Sequence, residues 1–262
     1  MTIVTLISTM HRRDINFLNK MNLQTNAIVV NQMGNIKHSY CSLFEDHLVK
    51  IINSQETGLS RSRNRAIKEA DADICIIADD DIVYCNNYEK QVELAYKQHP
   101  EADIIAFQVD RFGGQRNKKF REHPSWENQF TLFKISSVEI TFKRESIEKN
   151  GIQFNENIGA GTIFFQGEES VFLSDAFKKG LKILYLPIKI AATDISDSTW
   201  FSGYNEKYFE SKGVTFFLIN KSLFSLLCLQ FLIRKRKMYK GHISFLNAYR
   251  SMKNGKKKYE GL

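Results

Sequence analysis

Ile74-Cys75-Ile76-Ile77-Ala78-Asp79-Asp80-Asp81 is the stretch that decides the fold. Residues 74–78 are apolar without a polar break, the pattern of a short strand buried on both faces. Three adjacent carboxylates at its end repel one another unless a cation or a cationic substrate sits among them. Hard oxygen ligands at a strand end suit Mg²⁺ or Mn²⁺, metals that usually also hold substrate phosphates. The plainer alternative is a solvated acidic turn in which Asp80 or Asp81 caps the next helix.

Working outward, residues 2–8 and 27–31 read as β-branched strands with a helical stretch over 14–22 between them. Helices are predicted over 58–70 and 87–98, and a strand over 103–109. This alternation implies an α/β fold, with a doubly wound, mostly parallel central sheet and helices on both faces. Ligands of such sheets sit beyond the carboxyl ends of the strands. Ser8-Thr9, Asn31 and Asp79 to Asp81 all fall at such ends. Residues 111–121 break the pattern as a basic, Gly-bearing loop. Beyond it come a strand over 138–142, a helix over 144–150 and a turn at 159–161. A helix over 167–179 follows, then a strand over 182–186 ended by Pro187.

The chain has 262 residues, 43% hydrophobic and 25% charged, which is the composition of a globular protein with a sizeable core. Its four cysteines are scattered without a Cys-x-x-Cys pair, so neither a disulfide framework nor a zinc site is expected and a reducing cytosol fits. The N-terminal residues show a strand pattern without a basic lead or a cleavage site, so a secretory signal is not expected. The net charge is +8, but Arg234 to Leu262 holds ten Lys and Arg against one acid, Glu260. The remainder carries 27 basic and 28 acidic residues, so the basicity belongs to the C-terminus.

Two helices each hide a charge. On a helical wheel Leu59, Ala66, Ile67 and Ala70 share a face with Arg63, while Arg61, Arg65 and Lys68 point away. A buried guanidinium needs an anion, either a nearby Asp or a diphosphate at the first turn. In 167–179, the wheel directs Glu169 inward, among Phe172, Leu173 and Ala176, and Glu168 outward. A carboxylate there feels the helix dipole, which favours its ionised form, and burial, which opposes it, the conditions for a general base. The alternative is that Glu168 or Glu169 simply caps the helix.

Four segments in order resemble the family-2 glycosyltransferases of the GT-A fold, of the kind found in bacterial surface polysaccharide synthesis. They are the first strand with Ser8-Thr9, Gly58-Leu59-Ser60-Arg61-Ser62-Arg63-Asn64, Asp79-Asp80-Asp81, and Gly167-Glu168-Glu169 with the residues that follow. The third resembles that family's DxD metal motif and the fourth its G-E-D segment. The resemblance implies that Asp79 and Asp81 hold Mn²⁺ or Mg²⁺ on the two phosphates of a nucleotide-sugar, a UDP-sugar by preference. It implies that Asp80 contacts the ribose, that Arg63 reaches the nucleotide or diphosphate, and that Thr9 and Asn31 line the base pocket. Glu169 takes the place of the catalytic Asp and deprotonates the acceptor hydroxyl in an inverting displacement, with Glu168 beside it. Many members of the family carry Asp where this chain has Asn31, and many carry a His near the position of Asp194.

Residues 1–200 are therefore expected to form the catalytic domain and 201–262 a helical, basic extension. Residues 214–233 are mostly apolar, but Asn220, Lys221 and Gln230 leave no run of the ~20 residues that a membrane-spanning helix needs. The basic run Arg234-Lys235-Arg236-Lys237 follows at once. Peripheral attachment through 214–258 to the inner face of the cell membrane is expected, and with it a glycan or lipid-linked acceptor. The rival classes are a nucleic-acid-binding protein and a nucleotidyltransferase. The basic residues lack regularly interleaved aromatics, so nucleic acid is not expected. Ser8-Thr9-Met10-His11-Arg12 is not the Gly-rich phosphate loop that a nucleotidyltransferase would show.

Overall fold

The computed structural model of the protein describes residues 1–34, 38–113, 118–194 and 203–262. The expected domain boundary at 200/201 and the middle of the basic loop 111–121 lie outside the described residues. In chain order the elements are β1 (Ile3–Met10), α1 (Phe17–Met21), β2 (Asn26–Gln32), β3 (His38–Phe44), β4 (His47–Ser54), α2 (Leu59–Glu69), β5 (Ile74–Asp79), β6 (Ile82–Tyr84), α3 (Tyr88–Gln98) and β7 (Ile104–Phe112). They continue with β8 (Ser125–Trp126), β9 (Ile140–Lys143), α4 (Arg144–Lys149), α5 (Glu168–Lys178), β10 (Ile183–Asp194), α6 (Glu206–Ile219), α7 (Phe224–Tyr239) and α8 (Phe245–Glu260).

The strands form one sheet in the order β3-β4-β2-β1-β5-β9-β7-β10-β6, with β8 paired to β10. The stretch β4-β2-β1-β5 is parallel, with Ser8 opposite Asp79 and Thr9 opposite Asn31. The site residues of three strands therefore end at one edge. Beyond β5 the sheet is mixed, because β9 enters antiparallel between β5 and β7. Side chains alternate across β5 as the pleat requires. Ile74, Ile76 and Ala78 join α1 and α3 on one face; Cys75 and Ile77 join α2, α4 and α5 on the other.

One expectation is corrected, and two stretches left open by the sequence take defined structure. Residues 38–54, not assigned from the sequence, form the β3–β4 hairpin at the sheet's end. The strand expected to stop at Pro187 runs on to Asp194, because register shifts between Tyr185 and Ala191 accommodate a residue that has no N–H to donate. The apolar stretch 214–233 is two helices. Asn220 ends α6, and its side chain accepts a hydrogen bond from the Leu223 N–H before α7 begins.

Helices α6, α7 and α8 build a cluster of their own around Phe209, Cys228, Leu232, Tyr239 and Met252. A second cluster joins them to the catalytic part, setting Val214 and Ile219 of α6 against Ile158, Phe164 and Val171. No helix among the described residues is long and apolar enough to cross a membrane.

Candidate active site

Arg63 is the hub. It lies on the inner face of α2 and is 1% exposed. Its Nη2 donates to Asp79 Oδ1 at the end of β5, and its Nη1 donates to Glu168 Oε1 at the start of α5, each at 3.1 Å. The Phe154 ring lies 5.4 Å from its guanidinium carbon. Asn64 secures that segment, donating to the Phe154 carbonyl and accepting from its N–H. A buried guanidinium between two carboxylates is charge-compensated, which is what its burial demands. Arg61 and Arg65 point to solvent, as the wheel predicts.

The acidic run does not cap a helix. Asp79 closes β5, and β6 follows at once. Asp80 accepts from the Thr9 hydroxyl and from both Nε and Nη2 of Arg12, the latter two at 2.7 Å. Asp81 is exposed and holds its proton more tightly than an ordinary carboxylate. The first cause is crowding by protein that displaces water, and the second is repulsion from Asp79 and Asp80; a hydrogen bond from Thr193 acts against both. Among the described residues no three carboxylate, imidazole or thiol side chains converge as a ready-made metal centre. What is present is Asp81 close enough to Asp79 to feel its charge, with Asp79 Oδ1 taken by Arg63. That donor set fits Mg²⁺ or Mn²⁺, which take one or two protein carboxylates and complete their shells with water and substrate phosphate.

A cavity of about 360 Å³ opens beside this edge, lined by Arg12, Asn31, His38, Tyr40 and Asn53 among others. The His38 and Tyr40 rings stack at 5.6 Å. Asn31 lines the cavity as expected, yet its amide is spent inside the protein. Its Oδ1 accepts from the Arg12 N–H, and its Nδ2 donates to the Arg12 carbonyl and to Asn53 Oδ1. Only an amide can do both, which explains Asn in place of Asp. Thr9 does not line this cavity; it bonds Asp80 instead.

The start of α5 reverses the wheel. Glu168 is buried and Glu169 is half-exposed. The wheel assumes that the core runs the full length of the helix, but α5 begins where the sheet ends and the cleft opens. There the loop at Gly159 covers Glu168: a Cβ on Gly159 would lie 3.2 Å from its carboxyl. Gly167, in a left-handed conformation (φ +97°), lets Thr215 of α6 press against the backbone, where a Cβ would meet the Thr215 hydroxyl at 2.1 Å. Lys212, one turn earlier on α6, faces this same end of α5. Burial pushes its ammonium down, while Glu169 and Glu168 hold it up.

Burial pushes the Glu168 carboxyl up to about 7, and Glu169 adds to this, while Arg63 pulls the other way. The folded state thus favours the proton more than the unfolded chain does. The associated stability is complete below pH 4.5, the ordinary Glu value, and is lost as the pH rises through about 7. Unfolding midpoints are expected to fall across that window, and Glu168→Gln to lack that component. Parallel pH profiles for the two chains would contradict it.

Arg12, Thr193 and Lys212 were missed in the sequence reading. Arg12 stands in a loop without periodicity. Thr193 lies beyond the Pro187 that was read as a strand end. Lys212 comes from a helix more than forty residues after Glu169, and no local pattern links the two.

Residues 34–170 match the family model described as Glycosyl transferase family 2. No curated protein matches the chain in sequence. Among solved structures, S. aureus TarS residues 1–349 in complex with UDP-GlcNAc is similar over 97% of this chain and 79% of its own, at 15% identity and a TM-score of 0.65. The same fragment in complex with UDP is similar over 93% and 76%, at 13% identity and a TM-score of 0.61. Against a longer TarS chain, this protein covers 43% of that chain with a TM-score of 0.61 and 15% identity. These likenesses are of fold.

Proposed function

Because the chain belongs to glycosyl transferase family 2, and is therefore a glycosyltransferase, we propose that it moves one sugar from a nucleotide-sugar to a hydroxyl of a glycan or lipid-linked glycan, with inversion, in bacterial surface polysaccharide synthesis at the cytoplasmic face of the membrane. The observation that carries this reading is Arg63, which ties the acidic end of β5 to the Glu168-Glu169 start of α5 through one buried charge. Donor phosphates and acceptor base are thereby held in one frame.

The cavity at Asn31, His38 and Tyr40 takes the nucleoside, and Asp80 with Arg12 flanks the ribose and diphosphate. A UDP-sugar is the favoured donor, as in the TarS complexes with UDP and UDP-GlcNAc. Glu169, half-exposed, takes the proton of the acceptor hydroxyl. The acceptor oxygen bonds to the anomeric carbon from the face opposite the diphosphate, and the bond from that carbon to the phosphate oxygen breaks. The electron pair leaves on the nucleoside diphosphate. A divalent metal, Mn²⁺ or Mg²⁺, held by Asp81 and Asp79 would neutralise that charge.

A thermal-stabilisation screen of nucleotide-sugars with Mn²⁺ tests the reading; UDP-sugars are expected to raise the unfolding midpoint, and a chain raised by none of them would end it. A second expected outcome concerns the metal. Nucleoside diphosphate binding by calorimetry is expected to require Mg²⁺ or Mn²⁺ and to be lost in Asp81→Ala. Equal affinity with and without a chelator would remove the metal from the mechanism.

A further inference from the structure

We infer that the outward face of α7 is a docking surface for an anionic lipid bilayer. On this helix Phe224, Cys228, Leu232 and Tyr239 are buried against α6 and α8. The opposite face carries Leu226 and Ile233, 61% and 68% exposed, with Leu229 between them at 37%. These residues recur at helical spacing, so they form one stripe. The last turns of the same face carry Lys237 and Lys240, with Arg234 and Arg236 at its margins, all exposed. The face is thus apolar in its first half and cationic in its second.

The surrounding charge has one sign. Between Glu210 and Glu260 the chain contains no Asp or Glu but twelve Lys and Arg. Those two acids engage Lys258 and Lys256. Among the described residues none of Arg234, Lys237 and Lys240 has a carboxylate partner. An anionic bilayer satisfies both halves of the face at once. Leu226, Leu229 and Ile233 enter the acyl boundary, and the long Lys and Arg stems carry their charges back to the phosphate headgroups. Each basic residue near such a surface strengthens the attachment about severalfold. A second copy of this chain meets like charge with like charge. A nucleic acid leaves the Leu and Ile side chains unmatched and finds no outward aromatic on which to stack, since Tyr239 is buried and Phe231 is packed against Phe216.

The inference does not rest on the transfer reaction, and nucleotide binding measured in parallel separates the two. The full chain is sedimented with vesicles of phosphatidylcholine and phosphatidylglycerol in equal parts, and with phosphatidylcholine alone. Binding to the anionic vesicles, weakened by salt, is expected. The pair Leu226→Ser with Ile233→Ser is expected to weaken it about tenfold or more, since both side chains lose apolar burial. Lys237→Gln with Lys240→Gln is expected to weaken it about tenfold and to flatten the salt dependence. All four positions are exposed, so unfolding midpoints and nucleotide affinity are expected to stay unchanged. Vesicle binding that is absent in the parent, or equal in parent and variants, overturns the proposal. So does a parent dimer that the Leu226 and Ile233 changes dissociate, which would make this face an interface between copies.

Discussion

Replacing Glu169 by Gln is expected to lower sugar transfer by about 10²–10⁴-fold, the usual worth of general-base catalysis, and to leave donor affinity nearly unchanged. Glu169 stands in the first turn of α5, half-exposed, with the Ser170 hydroxyl donating to its Oε1 at 3.3 Å. A base that serves an incoming acceptor must be reachable, and of the two adjacent carboxylates only Glu169 is. Gln keeps the shape and a hydrogen-bond acceptor but takes no proton. Glu168→Gln is expected to cost much less turnover, because that carboxyl faces Arg63. Lys212 stands beside the pair and interacts with both carboxylates, so Lys212→Met is expected to shift the pH profile of transfer. A Glu168→Gln chain that is inactive beside an active Glu169→Gln chain would move the base by one residue. Normal transfer by both would move it off α5.

Arg63→Met is expected to have the largest effect on stability, roughly 3–5 kcal/mol, the usual cost of removing one partner from a buried ion pair. Glu168 then loses its buried partner, while Asp79, more exposed, can turn to solvent. Because the Glu168 carboxyl can take a proton instead, the loss is expected to be larger above about pH 7 than below it. The double change Arg63→Met with Glu168→Gln is expected to recover part of the loss, since no buried charge is left uncompensated. Urea unfolding of the four chains at two pH values measures the coupling; additive losses would mean that the pair does not act as a unit. Nucleoside diphosphate binding is also expected to weaken, because Asp79 loses its anchor. Arg61→Ala and Arg65→Ala, at exposed positions, are expected to change it little. Three alike would show that the site does not depend on Arg63.

Much of this was legible in the residues. The apolar run of β5 and its carboxylate end follow from a strand buried on both faces, and that burial needs no knowledge of its neighbours. The inward position of Arg63 follows from helical periodicity, because α2 packs on the sheet along its whole length. What local pattern missed has a common cause. Strand β3 is exposed along most of its length and shows no buried stripe to read. Strand β10 passes a proline that the sheet absorbs by a shift in register.

The reversal of Glu168 and Glu169 is the sharpest case. Sequence alone determined that two carboxylates begin a helix and that three more end a strand. It also determined that the positive charge gathers after residue 233. It could not determine which carboxylate is buried, because that depends on Gly159, which lies against the Glu168 carboxyl, and on Ser60 and Arg63 of α2, far away in the chain, which bond the Ile158 carbonyl and Glu168. Nor could it show that Lys212 stands near the base, or that α7 turns its apolar stripe outward while α6 buries its own. Periodicity reports one face of one element. Which neighbour covers that face, or leaves it to solvent, is decided only when the elements pack.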